Sequence, residues 1–256
     1  MKEALINYTI HLADNSLILG QRNSECCGHG PVLEQDIAIT NISLDLIGQA
    51  RNFYQYAAQL INEFQKSEGA EVSEDSLAYL RKEREYKNCL LVEQPNADWA
   101  QTMLRQFLFS QYQYLLFQQL QHGKDEQIAA IVAKSLKEIA YHLRWSREWV
   151  IRMGDGTEES QQRMQKAIGE LWRYTGELFM PAQYEKEMGI DFTKIKEEWD
   201  LKVNAVFSEA SLIPPSGGGG AVFMQTGGKE GKHTEQLGYI LTELQYMQRT
   251  YPNCEW

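Results

Sequence analysis

Proline is scarce in this chain and is missing from its two longest stretches. Only six prolines occur among 256 residues, and the intervals from Val32 to Gln94 and from Asn96 to Met180 contain none. A helix interior excludes proline, whereas the turns of sheet proteins use it often. The same intervals are rich in Gln, Leu, Ala, Glu, Arg and Lys, which lose little side-chain freedom in a helix. The sequence therefore predicts an all-α fold.

The chain also lacks an excess of positive charge, long apolar runs and cysteines at C-x-x-C spacing. The chain has 25 Lys and Arg against 35 Asp and Glu, a net charge of −10, which argues against binding to nucleic acids or anionic membranes. Its longest apolar run, Ile128 to Ala133, has six residues, whereas a membrane span needs about 18. The four cysteines form no C-x-x-C pair, so we expect reduced thiols. We recognise no export signal and expect a cytoplasmic protein.

Apolar residues recur at helical spacing along four long segments. These segments are Ala4 to Gln21, Glu34 to Phe64, Asn96 to Gln121 and Gln127 to Met153. The third is rich in aromatic residues and can be capped by Asn96 or Asp98. Four long amphipathic or apolar helices are typical of a bundle.

The C-terminal part contains shorter helical segments. They are Glu158 to Leu178, Asp191 to Ser208 and Thr234 to Arg249. The stretch from Pro214 to Gly220 is predicted to be an exposed loop, because two prolines and a run of glycines favour flexible chain. We predict one domain, in which residues 1–153 form the core four-helix bundle and residues 154–256 add peripheral helices and a C-terminal helix.

A bundle of this size raises the question of a di-iron site. Such sites need a Glu-x-x-His motif on two of the helices. The chain contains one acidic residue followed by histidine at this spacing, Glu230 with His233, and it lies in a glycine-rich stretch. The sequence therefore predicts no metal site in this chain.

Four polar residues nevertheless flank the apolar stripes of two predicted bundle helices. They are Asp45, Gln49, Glu138 and His142, each pair at i, i+4 spacing. Buried polar groups must be hydrogen-bonded, so we interpret the four as a polar network in a degenerate metal position. An alternative is an atypical metal site that adds Asp14, which follows His11 on the first helix.

Nucleophilic catalysis has no clear signature, and we predict no catalytic residue. The sequence Cys26-Cys27-Gly28-His29 is interpreted as a structural corner. The segment from Gly227 to Thr234 contains Lys229 and Lys232 among glycines ahead of a helix, which are the components of a phosphate cradle. The alternative is a flexible turn capped by Thr234.

Six dispersed motifs together resemble one family. They are Glu25-Cys26-Cys27-Gly28-His29-Gly30-Pro31, the run from Leu44 to Phe53, the run from Leu90 to Asn96, Tyr141-His142-Leu143-Arg144, Leu171-Trp172-Arg173-Tyr174-Thr175, and Gly227 to Glu235. In this order they resemble the C subunits of bacterial ring-1,2-phenylacetyl-CoA epoxidases, multicomponent monooxygenases of aerobic phenylacetate degradation.

The resemblance implies a ferritin-like bundle that has lost its di-iron ligands. Such a chain is the non-catalytic structural partner of the catalytic A subunit, which carries the iron. A separate reductase with FAD and an iron-sulfur cluster delivers electrons from NADPH. This chain is then expected to hold no cofactor and to be inactive by itself.

Three hypotheses follow from the resemblance. The network of Asp45, Gln49, Glu138 and His142 keeps the bundle rigid. Exposed aromatic and glutamine-rich faces of the segment from Asn96 to Gln121 contact the A subunit. Lys229 and Lys232 reach the phosphates of CoA. Two other classes remain open, namely an independent di-iron or di-manganese oxidase and a helical scaffold unrelated to oxygenases.

Overall fold

The fold is known from a computed structural model, which describes residues 2–65, 71–215, 223–252 and 254. The helices in this part are α1 (Lys2–Ser24), α2 (Leu33–Gln65), α3 (Glu74–Tyr79), α4 (Trp99–Leu120), α5 (Glu126–Gly154), α6 (Glu158–Leu171), α7 (Gln183–Lys186), α8 (Phe192–Glu209), α9 (Glu235–Leu244) and α10 (Tyr246–Thr250). No strand occurs among the residues described. The predicted all-α, ferritin-like bundle is confirmed.

Four long helices form the bundle, as two closely packed pairs. Helix α1 lies along α2, and α4 lies along α5, with a sparser contact between α2 and α5. Aspartates cap the two helices of the second pair, because Asp98 accepts a hydrogen bond from Gln101 N and Asp125 accepts one from Ile128 N. Asp98 is thus the cap of α4, one of the two predicted candidates.

Helix α4 is the central helix of the molecule. Of its 22 residues 18 are buried, because α5, α6 and α8 all pack against it. The prediction that its aromatic and glutamine-rich faces are exposed to a partner is wrong. Four of its six glutamines are buried, and buried amides need hydrogen-bond partners, as when Gln106 donates to Ser110 Oγ at 2.8 Å.

The C-terminal half contributes to the same core cluster, which includes residues from Ala4 to Leu241. Trp199 of α8 is 1% exposed, and its indole donates to Leu108 O at 3.0 Å. Helix α6 is shorter than predicted, because Thr175 Oγ1 bonds Trp172 O within two successive 3₁₀ turns. The last predicted helix is broken at Gln245, whose amide is drawn inward to Arg81 O.

Two further sequence expectations concern a corner and a loop. The turn between α1 and α2 buries Cys26 and exposes Cys27, and Asp36 holds it by accepting hydrogen bonds from Gly28 N and Gly30 N. From Ser216 onward, the predicted Pro214–Gly220 loop lies outside the residues that the structure describes.

Among the residues described, no helix is long and apolar enough to cross a bilayer.

Candidate functional site

Helices α2 and α5 bring the four predicted network residues together as two pairs. His142 Nε2 lies 3.0 Å from Asp45 Oδ2, and Gln49 Nε2 donates to Glu138 Oε2 at 2.9 Å. The pairing follows from i, i+4 spacing on two antiparallel helices, which places each residue opposite its partner. Gln113 of α4, which the sequence reasoning missed, donates to Gln49 Oε1 at 3.3 Å. The four residues on α2 and α5 are called the α2–α5 pairs below.

The α2–α5 pairs lie at the margin of the bundle. His142 and Gln49 are buried, whereas the Asp45 side chain is 37% exposed and Glu138 is half-buried. Both carboxylates therefore keep contact with water, which reduces the cost of their charge. The pairs join α2 to α5, two helices that touch less than the members of either close pair.

The donor set does not make up a metal site. Among the residues described, no group of three or more His, Cys, Asp or Glu is arranged to hold a metal ion. Buried atoms without a hydrogen-bond partner in this part of the chain include His142 Nδ1 and Gln113 Oε1, one nitrogen and one amide oxygen. A structural metal needs about four such ligands, and a catalytic one about three with a water.

Asp14, the further ligand of the atypical metal hypothesis, is engaged elsewhere. Its carboxylate is fully buried and pairs with Arg81. It also accepts hydrogen bonds from Tyr54 Oη at 2.5 Å and Lys87 N at 2.7 Å. These partners occupy the carboxylate on both oxygens, so Asp14 holds α1 to the α3–α4 connection.

A second polar cluster lies beneath the glycine-rich segment from Gly227 to Thr234. It contains five buried charged or titratable side chains, Glu93, Glu177, Glu185, Lys229 and His233, and is called the buried ionic layer below. Glu177 accepts hydrogen bonds from the backbone N–H groups of Leu90, Gly227 and Gly228, each at 2.7 Å. One carboxylate thus joins three parts of the chain.

Two glycines let the segment approach the rest of the fold. A Cβ on Gly228 would lie 2.3 Å from Asn88 O, and one on Gly231 would lie 2.2 Å from Arg84 O. Gly231 also has φ +78°, which disfavours any other residue. These glycines are required for packing against residues 84–90.

The two lysines of the predicted phosphate cradle have different environments. Lys229 is 3% exposed, and its Nζ lies 3.0 Å from Glu185 Oε2 and 3.2 Å from Met180 O. The Lys232 side chain is 79% exposed, with its Nζ 3.9 Å from Glu230 Oε2. The Lys229 ammonium is therefore bound by groups of this chain, whereas the Lys232 ammonium faces solvent.

Glu93 and His233 form the other half of the buried ionic layer. His233 Nδ1 lies 2.9 Å from Glu93 Oε2, and Nε2 lies 3.0 Å from Tyr86 O. Burial disfavours the charged ring, but the hydrogen bond and charge of Glu93 outweigh it and raise the pKa of His233. Because both partners are acceptors, both ring nitrogens donate when the ring is protonated.

His11 lies beside the Glu185–Lys229 pair, in an environment that disfavours its charged form. Its Nε2 is 3.5 Å from Glu185 Oε1, and its Nδ1 is 2.7 Å from Lys87 O. Burial, helped by the charge of Lys229, lowers the pKa of His11 despite the nearby carboxylates. The environment therefore shifts the pKa values of His11 and His233 in opposite directions.

Comparison with known proteins covers the whole chain. A family model described as "Phenylacetic acid catabolic protein" matches residues 1–256. The chain belongs to this family. It is 46% identical, over 98% of its length and 99% of the relative's length, to the C subunit of the 1,2-phenylacetyl-CoA epoxidase of Escherichia coli (strain K12). The resemblance drawn from the six motifs is confirmed.

Two of the six motifs now have a structural role in this chain. Glu93 comes from the motif spanning Leu90 to Asn96, and His233 from the one spanning Gly227 to Glu235. The hydrogen bond between these side chains shows that the two motifs are adjacent in space. Sequence reasoning missed Glu177, Glu185 and Arg81, because no local pattern shows which distant group a charged residue will contact.

Proposed function

We propose that this chain is the non-catalytic structural subunit of a multicomponent phenylacetyl-CoA 1,2-epoxidase. The observation that carries the proposal is the end-to-end match to the C subunit of such an epoxidase, which covers 98% of this chain. In this role the chain pairs with and braces a di-iron catalytic A subunit. The reductase of the complex supplies electrons through its FAD and iron-sulfur centre.

The α2–α5 pairs support a structural role. They join two bundle helices by side-chain hydrogen bonds between α2 and α5. Hydrogen bonds of this kind hold the helices in register without a cofactor. The chain then contributes stability and a surface to the complex, and the partner contributes the chemistry.

Helix α2 offers a surface for the pairing. Leu33, Ile37 and Leu44 lie along one face of it and are 71%, 51% and 61% exposed. Exposed apolar residues aligned in this way are typical of a protein interface. We assign this face, in place of α4, to contact with the catalytic subunit.

The test is co-expression with the catalytic subunit, followed by size-exclusion chromatography, iron analysis and an epoxidation assay. We expect no iron and no activity in the isolated chain, and both in the complex. Leu44→Glu should weaken the complex at least tenfold, because it places a charge in an apolar interface. Leu201→Glu on α8, where Leu201 is 69% exposed, is the control and should leave assembly unchanged.

Two results would contradict the proposal. Near-stoichiometric iron in the isolated chain would favour the independent di-metal oxidase. Failure to form a complex with the catalytic subunit at micromolar concentration would favour a scaffold unrelated to oxygenases.

Contact with CoA is assigned to Lys232. Its ammonium is exposed, whereas that of Lys229 is held by Glu185. Lys232→Ala should raise the KM for phenylacetyl-CoA in the assembled complex about threefold with kcat unchanged, because a lost lysine–phosphate contact weakens binding alone. Lys166→Ala, at another exposed lysine, is the control. An unchanged KM would remove Lys232 from substrate binding.

A further inference from the structure

Lys87 lies in the connection between α3 and α4, and its backbone is fixed against α1. Its N–H donates to Asp14 Oδ2 at 2.7 Å, and its carbonyl oxygen lies 2.7 Å from His11 Nδ1. Two contacts with one helix leave this backbone little freedom, so the side chain starts from a defined position. Lys87 belongs neither to the α2–α5 pairs nor to the buried ionic layer.

The ammonium group of Lys87 has no counter-ion. Within the described residues its Nζ forms no hydrogen bond and no ion pair. The carboxylate of Asp14, which binds the Lys87 N–H, is already paired with Arg81. The Nζ instead lies 5.4 Å from the centre of the Tyr184 ring, and Tyr184 is 9% exposed. The amine is therefore packed on an aromatic face with no anion in contact with it.

The Lys87 amine is nevertheless open to solvent. The residue is half-buried. The fully buried side-chain nitrogens and oxygens that lack a partner in the described chain do not include its Nζ. Because this atom has no hydrogen-bond partner, it must retain accessible surface. A small reagent can therefore reach it, unlike the ammonium of Lys229, a residue that is 3% exposed.

The surroundings of Lys87 favour its neutral form. Partial burial has the largest effect and lowers the pKa of Lys87, the charge of Asp14 opposes it, Arg81 adds to it and Glu3 opposes it. The net result is a lowered pKa. The hydroxyl of Tyr184 has a raised pKa and adds no charge. A lysine that is partly desolvated and lies near another cation is an activated nucleophile, because only the neutral amine has a free electron pair.

The lack of a general base restricts the acyl donor with which this amine can react. No acceptor in the described part of the chain takes a hydrogen bond from the Lys87 Nζ. The donor must therefore carry a group that leaves without assistance. A thiolate does so more readily than an alkoxide, because the pKa of its thiol is only about 8.5.

We propose that Lys87 is an acylation site, at which the side-chain amine accepts an acyl group from a thioester. The Nζ electron pair forms a bond to the thioester carbonyl carbon, the carbon–sulfur bond breaks, and the leaving thiolate takes up the proton of the amine. The products are an amide and a free thiol. The amide replaces a partly buried charge that has no counter-ion by a neutral group. This site does not depend on the proposed role in an epoxidase, because any acyl thioester can be the donor.

Labelling of the folded full chain with S-acetyl-N-acetylcysteamine, a small neutral thioester, tests the proposal. After a timed reaction the chain is denatured and its remaining lysines are acetylated with deuterated acetic anhydride. Mass spectrometry then gives the labelled fraction at each lysine. Lys82, Lys134 and Lys137 are matched controls, because they are exposed and have no ion pair within the described chain. We expect Lys87 to react at least about threefold faster than these controls.

The dependence on pH and on folding identifies the cause of this preference. The rate at Lys87 should reach half of its maximum at a lower pH than the rates at the control lysines, because its amine loses the proton earlier. In concentrated urea the four rates should become similar, because the contacts that surround Lys87 exist only in the folded chain.

A surface variant changes the charge near Lys87 without altering the core. Glu3 is exposed in the first turn of α1, and its charge favours the ammonium form of Lys87. Glu3→Gln should therefore raise the rate at Lys87 by about 1.5-fold and leave the rate at Lys134 unchanged. Glu34→Gln, at an exposed position in the first turn of α2, is the control and should change neither rate.

Four results would overturn the proposal. They are a rate at Lys87 no higher than at the control lysines, half-maximal rates at the same pH, a preference for Lys87 that persists in urea, and an unchanged rate at Lys87 in Glu3→Gln.

Discussion

The α2–α5 pairs and the buried ionic layer use the same residue types in different environments. Each contains a histidine next to a carboxylate, Asp45 with His142 at 3.0 Å and Glu93 with His233 at 2.9 Å. The Asp45 side chain is 37% exposed, whereas the side chains of Glu93 and His233 are both 0% exposed.

The difference shows that burial, more than the pair itself, decides how strongly the fold depends on a charged contact. A partly exposed pair gains little, since water already solvates both groups. In a buried pair each charge is stabilised mainly by its partner, so removing one leaves the other buried and uncompensated. The fold should therefore depend mainly on the layer beneath the glycine-rich segment.

The largest expected effect is at Lys229. Lys229→Met leaves the Glu185 carboxylate buried without its cation and should lower the free energy of unfolding by about 3–5 kcal/mol. Lys232→Met, three positions away and exposed, should change it by less than about 0.5 kcal/mol. Urea denaturation followed by circular dichroism measures both.

A double variant distinguishes an uncompensated buried charge from a packing defect. Lys229→Met combined with Glu185→Leu removes both charges and should recover most of the lost stability. Equal stability of the Lys229→Met and Lys232→Met variants would show that the layer is no more important than the surface.

The next largest effect is at Gly231. Gly231→Ala should cost about 3 kcal/mol, because it adds a collision with Arg84 O to the strain of a positive φ. Gly189→Ala is the matched control, since Gly189 has φ +72° but no heavy atom within 4 Å of an added Cβ. It should cost about 1–2 kcal/mol. Thermal unfolding of the two variants side by side gives the contribution of close approach, and equal losses would disprove it.

A smaller effect should depend on pH through His233. The pKa of His233 is raised in the folded chain, so protonation favours folding. This stability is fully present below the unfolded pKa of about 6.5 and is lost as pH rises through the higher folded value. The stability difference between the original chain and His233→Gln should therefore shrink with increasing pH.

Urea unfolding at a series of pH values measures this difference. His122→Gln, at an exposed turn, is the control. A difference that grows with pH would mean that the buried ring is bound in its neutral form.

The smallest effect is expected in the α2–α5 pairs. Asp45→Asn should cost about 0.5–1 kcal/mol, because the carboxylate is partly solvated and Asn can still accept a hydrogen bond from His142. Asp200→Asn removes an exposed i, i+4 pair with Lys196 and is the control. Chemical denaturation checks both, and a loss as large as that of Lys229→Met would abolish the distinction between the two regions.

Much of the fold could be predicted from the sequence, because helix formation is a local property. The apolar stripe from Gln127 to Met153 predicted α5, which runs from Glu126 to Gly154. Four of the site residues were also predictable, since i, i+4 spacing on facing helices brings Asp45 to His142 and Gln49 to Glu138.

The burial of α4 could not be predicted in the same way. Its glutamines and aromatic residues lie on all sides of the helix, so the periodic pattern did not distinguish a central helix from an exposed one. Gln106 and Gln113 are buried because α1, α2 and α4 itself supply hydrogen-bond partners. Those partners are known only once the helices are packed.

Sequence alone was sufficient for the helical class, the positions of the long helices and the family, since each follows from patterns written locally along the chain. The distinction between Lys229 and Lys232 was not contained in it. Both lysines lie in one short segment, but Glu185, from a separate part of the chain, pairs with Lys229 and leaves Lys232 in solvent. A charged side chain can be stable in either setting, and contacts between distant residues determine which of the two it occupies.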